Sequence, residues 1–589
     1  MDEAKRMDQA MQLSHFTVWR LIKTYWQSKQ AFRAYLFYSL IILLTATVVG
    51  AELILNYWYN YFYNALQEYN EAAAVRLLFI FFIIAFIYIA LLVVRYYLWQ
   101  VFGLNWRRWL TQQCIDRWLK GRGYYYLENF DYQTDNPDQR IQDDIGSLIS
   151  NSIDLSINLF SNVLTVIGFS YVLWHLSGDD VAIPLGSLGI FHIHGYLMWV
   201  AVAYALLGTL ITLKIGFPLV PLNFEQQRRE ATFRFAAMDL RSHAEHVALY
   251  HGETHQKKIL GNLFGRVLEN TYMIILRQTK LLSFTAGFGQ LSVALPLIVV
   301  VPIYFKKIIL LGGLMQSLRA FGSLQDSLSF IVTAYPQIAQ WRATGQRLTT
   351  FLNHLTQIEA NVQKERELSL IKQKNDSITM KHLTIMTPTD EHLLNNVEET
   401  FKHGSHYLLK GPSGIGKSTL VRTVAGIWPF ASGEVAMPDN KKIMYLPQKP
   451  YMPIGTFAEA LMFPDHMKQE NEKNLVDVLR QCRLENFIPR LRDTAPWSEQ
   501  LSPGEQQRVA FARILLQKPD WVFLDESTSM LDLDNEKYLY QLLKKQLPHC
   551  SIVSVGHRPS VDEFHDHVIN LQKYQVKRPI DLVEATTPG

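Results

Sequence analysis

Hydrophobic and polar positions alternate on two different scales along this chain. Residues 34–51, 77–94, 155–174, 195–213 and 281–305 contain no Asp, Glu, Lys or Arg. A helix needs about 20 apolar residues to cross about 30 Å of hydrocarbon, and helices in soluble cores are mostly shorter. The five runs therefore predict five membrane-spanning helices. A further apolar run at 308–318 stops at Arg319, and an apolar tract resumes at 327–340. Beyond about residue 350 no apolar run reaches 18 residues. Short apolar strands there alternate with helical patterns, which predicts an α/β domain.

Lysine and arginine counts orient the spans. Residues 1–33 hold six, 59–76 one, 103–154 six, 175–194 none and 214–280 ten. By the positive-inside rule the N-terminus is cytoplasmic. A sixth crossing is then required to return the α/β half to the cytoplasmic side. The predicted spans lie near 34–57, 77–102, 155–175, 195–217, 281–305 and 308–338. Residues 1–33 carry no short apolar segment with a cleavage site, so the first span is expected to act as its own insertion signal.

Some membrane residues carry chemistry. Arg95 ends the second run, ~27 Å along its helix, and reads first as a snorkelling side chain. Glu52 near the outer end of span one reads the same way. The aromatic run Tyr57–Tyr63 reads as an interfacial belt. Pro296 and Pro302 are expected to bend span five. The loops 103–154 and 214–280 are expected to extend the spans as helices into the cytoplasm.

The α/β half contains stronger signals. The strand Tyr407–Lys410 leads into Gly411-Pro412-Ser413-Gly414-Ile415-Gly416-Lys417-Ser418-Thr419 and then a helix. This is the P-loop spacing in its required strand–loop–helix context. Backbone N–H groups and a helix N-terminus face the phosphates there, Lys417 reaches the β and γ phosphates, and Ser418 offers its hydroxyl to Mg²⁺. A second apolar strand ends in Asp525 and Glu526. Asp525 is expected to hold Mg²⁺ and Glu526 to act as base toward the attacking water. Between them lies Leu501-Ser502-Pro503-Gly504-Glu505. Locally this is a capped helix start, with Ser502 as N-cap, Pro503 at the first position and Glu505 closing a capping box. It also fits a second phosphate-binding helix end.

Composition removes other classes. With 49% hydrophobic and 19% charged residues the chain is not disordered. Cys114, Cys482 and Cys550 are widely spaced, which excludes a disulfide scaffold and a CxxC metal site. The net charge of +4 gives no reason to expect nucleic acid.

Taken together, these residues resemble the ATPase domain of ABC transporters over about 375–575. Walker A is Gly411–Thr419, the Q-loop residue is Gln448, and the signature is Leu501–Glu505. Walker B runs to Asp525 and Glu526, the D-loop is Ser529–Asp532, and the switch histidine is His557. In the first half, Trp106–Thr111, Asp116–Trp118, Asp135–Ile141, Glu230–Arg234 and Ala244–Tyr250 resemble the SbmA/BacA-type peptide transporters and the peroxisomal fatty-acyl D-subfamily half-transporters.

The resemblance implies an α-helical membrane domain of about six transmembrane helices (1–350), a linker (351–374), an α/β P-loop ABC ATPase domain (375–575) and a tail (576–589). It implies a homodimer in a bacterial inner membrane. Each ATP with its Mg²⁺ would be held by Walker A, Gln448 and Asp525 of one copy, with Ser418, Gln448 and Asp525 toward the metal. The partner copy would cap it with Ser502, Gly504 and Glu505, with Asp532 at the shared face. Glu526 and His557 would be catalytic. Peptide-like or other hydrophilic cargo, including a corrinoid, is implied on the SbmA/BacA side, and acyl-CoA or lipid-like cargo on the D-subfamily side.

Two positions depart from the family pattern. Pro503 stands where glycine is usual and removes one N–H. The stretch Leu383–Pro388 lacks the aromatic that commonly stacks on adenine, so weak discrimination among purine triphosphates is expected.

Overall fold

The computed structural model describes residues 17–130, 137–177, 181–184, 190–305, 307, 309–364, 367–465, 472–556 and 558–575. The chain divides into two units, Met1–Thr356 and Gln357–Gly589.

The first unit is helical. Helix α1 (Val18–Trp26) begins at Thr17, whose hydroxyl caps the Arg20 N–H at 3.3 Å, and buries one face through Leu21 and Tyr25. Helices α2 (Ala31–Gln67) and α3 (Glu71–Leu119) form an antiparallel pair, followed by the short α4 (Gly123–Phe130). Then come α5 (Ile145–Leu176), a small hairpin of β1 (Val181–Pro184) and β2 (Ile190–Ile193), and α6 (Tyr196–Gly216). Helices α7 (Leu219–Ser242) and α8 (Ala244–Leu249) lead to the long α9 (Glu253–Phe305). Among the described residues five helical stretches are long and apolar enough to cross a membrane, and they carry the five uncharged runs. In the second of them the most apolar window has a mean hydropathy of 3.3 and no buried residue, so its side chains point outward, where hydrocarbon accepts them. Helix α9 runs without interruption through Pro296 and Pro302.

The tract expected as one sixth span is two helices, α10 (Leu311–Leu328) and α11 (Phe330–Lys364). Helix α10 packs among α2, α5, α6 and α9. Ala320, Phe321 and Leu324 are buried there, and so are Gln316 and Ser317. A helix surrounded by protein does not need a uniformly apolar surface, which is why its sequence looks less like a span than its neighbours. Its approach to α2 is close: a Cβ on Gly312 would run into the Asn60 carbonyl oxygen, the packing small residues permit between membrane helices. Polar side chains line that contact. Asn64 Nδ2 donates to Asn60 Oδ1 at 2.7 Å, Asn64 Oδ1 accepts the Gly312 N–H at 2.8 Å, and Asn56 Nδ2 donates to the Gln316 carbonyl at 3.2 Å.

Three features of the membrane half differ from a local reading of the sequence. Trp58, in the expected interfacial belt, is buried, stacks on Phe62 and donates to the Leu77 carbonyl at 2.7 Å. Glu52 accepts a hydrogen bond from Tyr88 at 3.0 Å. Of Asp135–Ile141, the first two residues lie outside the described ones, and Arg140 is not a solvated surface group. It bonds the buried Asp144 at 3.2 Å, which Arg347 of α11 also grips with Nε and Nη2. That grip and the burial of Phe351, Leu352 and Leu355 keep the chain helical through Lys364. The stretch expected as a linker from 351 is therefore helix and then strand.

The second unit has two sheets. One is parallel, with β6 (Tyr407–Lys410) second from one edge in the order His567–Asn570, β6, Ser551–Val555, Trp521–Asp525, Ile443–Leu446. The other combines β3 (Leu368–Gln373), β4 (Ile378–Met386), β5 (His392–Phe401) and β7 (Ala431–Pro438) in the order β3-β7-β4-β5. Labels continue with β8 (Ile443–Leu446), β9 (Trp521–Asp525), β10 (Ser551–Val555) and β11 (His567–Asn570), and with α12 (Lys417–Val424), α13 (Phe457–Met462), α14 (Glu472–Gln481), α15 (Pro503–Gln517) and α16 (Leu533–Gln546). Strands buried on both faces need continuous apolar sequence. Residues 521–524 and 551–555 are all buried accordingly.

Candidate functional site

The parallel sheet brings the C-terminal ends of β6, β8 and β9 to one edge, the place where open α/β sheets bind ligands. β6 continues into the loop 411–416 and then α12. Gly414 and Gly416 have φ of 78° and 107°, which favours glycine. Ile415 is buried beneath the loop and anchors it to the core. Pro412 and Ser413 are exposed at its tip, and Ser418 and Thr419 lie in the first turn of α12. The first N–H groups of a helix have no intrahelical partner and suit an anion.

Lys417 is 6% exposed and its ammonium donates to the Gly411 and Pro412 carbonyls, both at 2.9 Å. Burial pulls its pKa below the ordinary lysine value, against the pull of Glu526 and Asp525. Ser418 donates its hydroxyl to Asp525 Oδ1 at 2.8 Å. Burial pushes the Asp525 carboxyl above the usual range, opposed by the Ser418 hydrogen bond. A cation here would relieve that burial cost. The Ser418 hydroxyl, the Asp525 carboxylate and the Gln448 amide oxygen are hard oxygen donors of the kind Mg²⁺ takes. The residues present fit a nucleotide phosphate with its metal.

Glu526 follows Asp525 with φ of 47°, an uncommon conformation for a residue with a side chain. Its carboxylate accepts Gln448 Nε2 at 3.0 Å. The structure thus gathers Lys417, Ser418, Gln448, Asp525 and Glu526 at one edge. His557 lies outside the described residues.

Ser502 caps α15 as the sequence predicts, in a reciprocal box with Glu505, and Pro503 opens the helix. Among the described residues no hydrogen bond joins 502–505 to 411–419. Asp532 caps α16, accepting Asn535 N–H at 2.8 Å and its amide at 2.6 Å, and these bonds hold its carboxyl below the ordinary value. Where an adenine-stacking aromatic is usual, Thr387 sits in a polar turn, bonded to Glu391 and Thr389.

Sequence reasoning missed the side chains that tie these loops together. Gln507 of α15 accepts the Met530 N–H at 3.0 Å and donates to the Gln448 carbonyl at 3.3 Å. Arg558 donates to the Ser529 carbonyl at 2.7 Å and the Leu531 carbonyl at 2.9 Å. Glu536, 1% exposed, accepts hydroxyls from Thr528 and Ser560, both at 2.6 Å, and lies 3.8 Å from Arg558. One signal was present: Glu536, Leu539, Tyr540 and Leu543 form a helical stripe, and a carboxylate on an otherwise apolar stripe needs partners.

Comparison with known proteins agrees with this geometry. Residues 21–305 match the ABC transporter transmembrane region 2 family, and residues 394–529 match the ABC transporter family. An uncharacterized ABC transporter ATP-binding protein of Haemophilus influenzae is 35% identical over 94% of this chain and 92% of its own length. The inner membrane ABC transporter ATP-binding protein YddA of Escherichia coli is 31% identical over 94% and 96%. ABC transporter D family member 2, chloroplastic, of Arabidopsis thaliana is 29% identical over 96% and 87%. With apolar spans and a P-loop ATPase fold in one polypeptide, and relatives matched along nearly its whole length, this chain belongs to the ABC transporters as an integral membrane half-transporter that hydrolyses ATP.

Proposed function

We propose that two copies of this chain form the working transporter, in an inner membrane as for the Escherichia coli relative. The loop 411–419 of one copy cradles the phosphates, with Lys417 toward β and γ. Ser418, Asp525 and Gln448 hold Mg²⁺. The partner's helix start, with Ser502, Gly504 and Glu505, closes over the γ-phosphate, and Asp532 lies at the shared face. Mg²⁺ supplies charge neutralisation on the phosphate oxygens. Glu526 takes the proton of the attacking water, and His557 contacts the γ-phosphate side of the same site. The observation that carries this reading is the half-built site: Lys417, Ser418, Gln448, Asp525 and Glu526 converge, while 502–505 make no hydrogen bond to the loop 411–419 of their own chain. The membrane half contributes about six crossings, with α10 as the sixth, and its cytoplasmic extensions carry the motion of the paired ATPase units to the spans.

For cargo we favour hydrophilic molecules of peptide size, a corrinoid included. The resemblance of Trp106–Thr111, Asp135–Ile141 and Glu230–Arg234 to the SbmA/BacA-type transporters supports this. The second reading is an acyl-CoA or lipid-like cargo, favoured by the D-family relatives. Reconstituted vesicles decide between them. ATP-dependent movement of labelled peptide supports the first, and movement of acyl-CoA alone overturns it. If Lys417→Ala leaves cargo flux unchanged, the transporter reading itself fails. A membrane ATPase acting as a sensor or channel would hydrolyse ATP in the same vesicles without accumulating any cargo.

A further inference from the structure

A cavity of about 360 Å³ opens where α1 packs between the start of α2 and the exit of α3. Arg33 and Arg108 line it with Gln30 and Gln112, over Tyr25 and Trp109. Among the described residues no acidic side chain lines it. Among the described residues neither guanidinium has a hydrogen bond or ion pair. Two arginines on one cavity, with no acidic partner among the described residues, suit an anion. Their planar forks match the oxygens of a phosphate.

The floor is held firmly. Tyr25 is buried, stacks on Trp106 with ring centres 5.1 Å apart and planes 7° from parallel, and lies 5.4 Å from Trp109. The depth is equally specific. Arg33 immediately precedes the uncharged run 34–51, and Arg108 lies six residues beyond the span near 77–102, about 9 Å along the helix. Headgroup layers occupy roughly 5–7 Å on either side of the hydrocarbon, so Arg33 lies at that layer and the long Arg108 side chain reaches back toward it from just beyond. Trp19, Phe32, Tyr35 and Leu36 stand exposed on the same two helices, an apolar surface that acyl chains can cover and a soluble anion cannot use.

We propose that this cavity binds the phosphate of an anionic phospholipid from the cytoplasmic leaflet, anchoring α1 against α2 and α3. The proposal rests on the orientation of the spans given above. It does not depend on which cargo is moved.

The test uses the full chain in nanodiscs of phosphatidylcholine with or without phosphatidylglycerol, with retained lipids counted by native mass spectrometry after release. A basic residue near an anionic surface contributes about fivefold, so two predict a preference for phosphatidylglycerol of about 25-fold. Arg33→Ala/Arg108→Ala should abolish that preference. Arg33→Lys/Arg108→Lys, which keeps charge without the fork, should retain part of it. Equal retention by the wild type and the alanine variant overturns the proposal. So does displacement of the lipid by inorganic phosphate or coenzyme A, which would make the cavity a site for a soluble phosphate compound. ATP hydrolysis in pure phosphatidylcholine discs should be the same for the wild type and the alanine variant. That control separates loss of the lipid site from failure of the transporter itself.

Discussion

Ser418 and Asp525 stand 107 residues apart in sequence and share one hydrogen bond of 2.8 Å, hydroxyl to carboxylate. The bond joins the first turn of α12 to the end of β9. A metal held by both oxygens must take the place of that bond, and burial already raises the Asp525 pKa. Asp525→Asn keeps an acceptor for Ser418 and removes the charge. Mg²⁺-dependent ATP hydrolysis should fall on the order of 100-fold, since metal stabilisation of transferring oxygens is worth several kcal/mol. Nucleotide binding in chelator should persist, as a fluorescent ATP analogue would report. An unchanged Mg²⁺ dependence would remove Asp525 from the metal site.

Glu526 combines a left-handed backbone with a carboxylate held by Gln448. Strain of this kind costs of order 1–3 kcal/mol and persists where the surroundings enforce it. Glu526→Gln should lower turnover by about 100-fold or more, the contribution of a positioned base, and should trap ATP in the protein. Single-turnover assays with retained radiolabelled nucleotide measure both. Wild-type turnover in this variant would end its assignment as base.

Arg558 holds two carbonyls of the D-loop with two nitrogens, beside a buried carboxylate. Lysine can supply charge but not the fork. Arg558→Lys should lower kcat for ATP several-fold while leaving KM nearly unchanged, because Arg558 bonds the D-loop and not the loop 411–419 proposed to hold ATP. Glu536→Gln should destabilise the ATPase unit by about 1–3 kcal/mol in urea unfolding, the cost of disturbing a buried hydrogen-bonded acceptor. Equal shifts of kcat and KM in the lysine variant would point to a general loss of structure instead.

A buried hydrogen-bond chain predicts an acid limit to stability. His565 Nδ1 donates to the Val561 carbonyl at 2.7 Å, so Nε2 accepts from Ser554 at 2.8 Å, and Tyr540 bonds Ser554 at 3.0 Å. Burial pushes His565 down to about 4. An unfolded histidine titrates near 6.5, so the unfolded chain binds the extra proton first as pH falls. Stability should therefore be unaffected by this group above about 6.5 and decline between about 6.5 and 4. His565→Gln should flatten that part of the curve in thermal melts. A wild-type slope that His565→Gln does not reduce would exclude His565 as the cause.

The readable part of the site was the part written in one stretch. Gly411–Thr419, the strand ending at Asp525 and Glu526, and the cap Ser502–Glu505 each hold their chemistry within a few residues, where spacing and turn chemistry act directly. Gln507 and Arg558 were not readable, because their partners lie on other elements, and the apolar stripe that flags Glu536 does not name its partners. Helix α10 reads weakly in hydropathy for a related reason: Gln316 and Ser317 are buried against neighbouring helices, and hydropathy counts them as if they faced lipid.

Local pattern alone was enough to read the apolar helices and the glycine-rich loop between β6 and α12, since each depends on hydrogen bonds and burial repeating every few residues. Tertiary structure alone decided that Arg347 closes on Asp144, that Trp58 turns inward, and that Gln507 and Arg558 bind the same loop from two sides. Those contacts join residues brought close only by strand order and helix packing. Their energy comes from taking polar groups out of water in pairs, and a single position in a sequence does not reveal which pair will form.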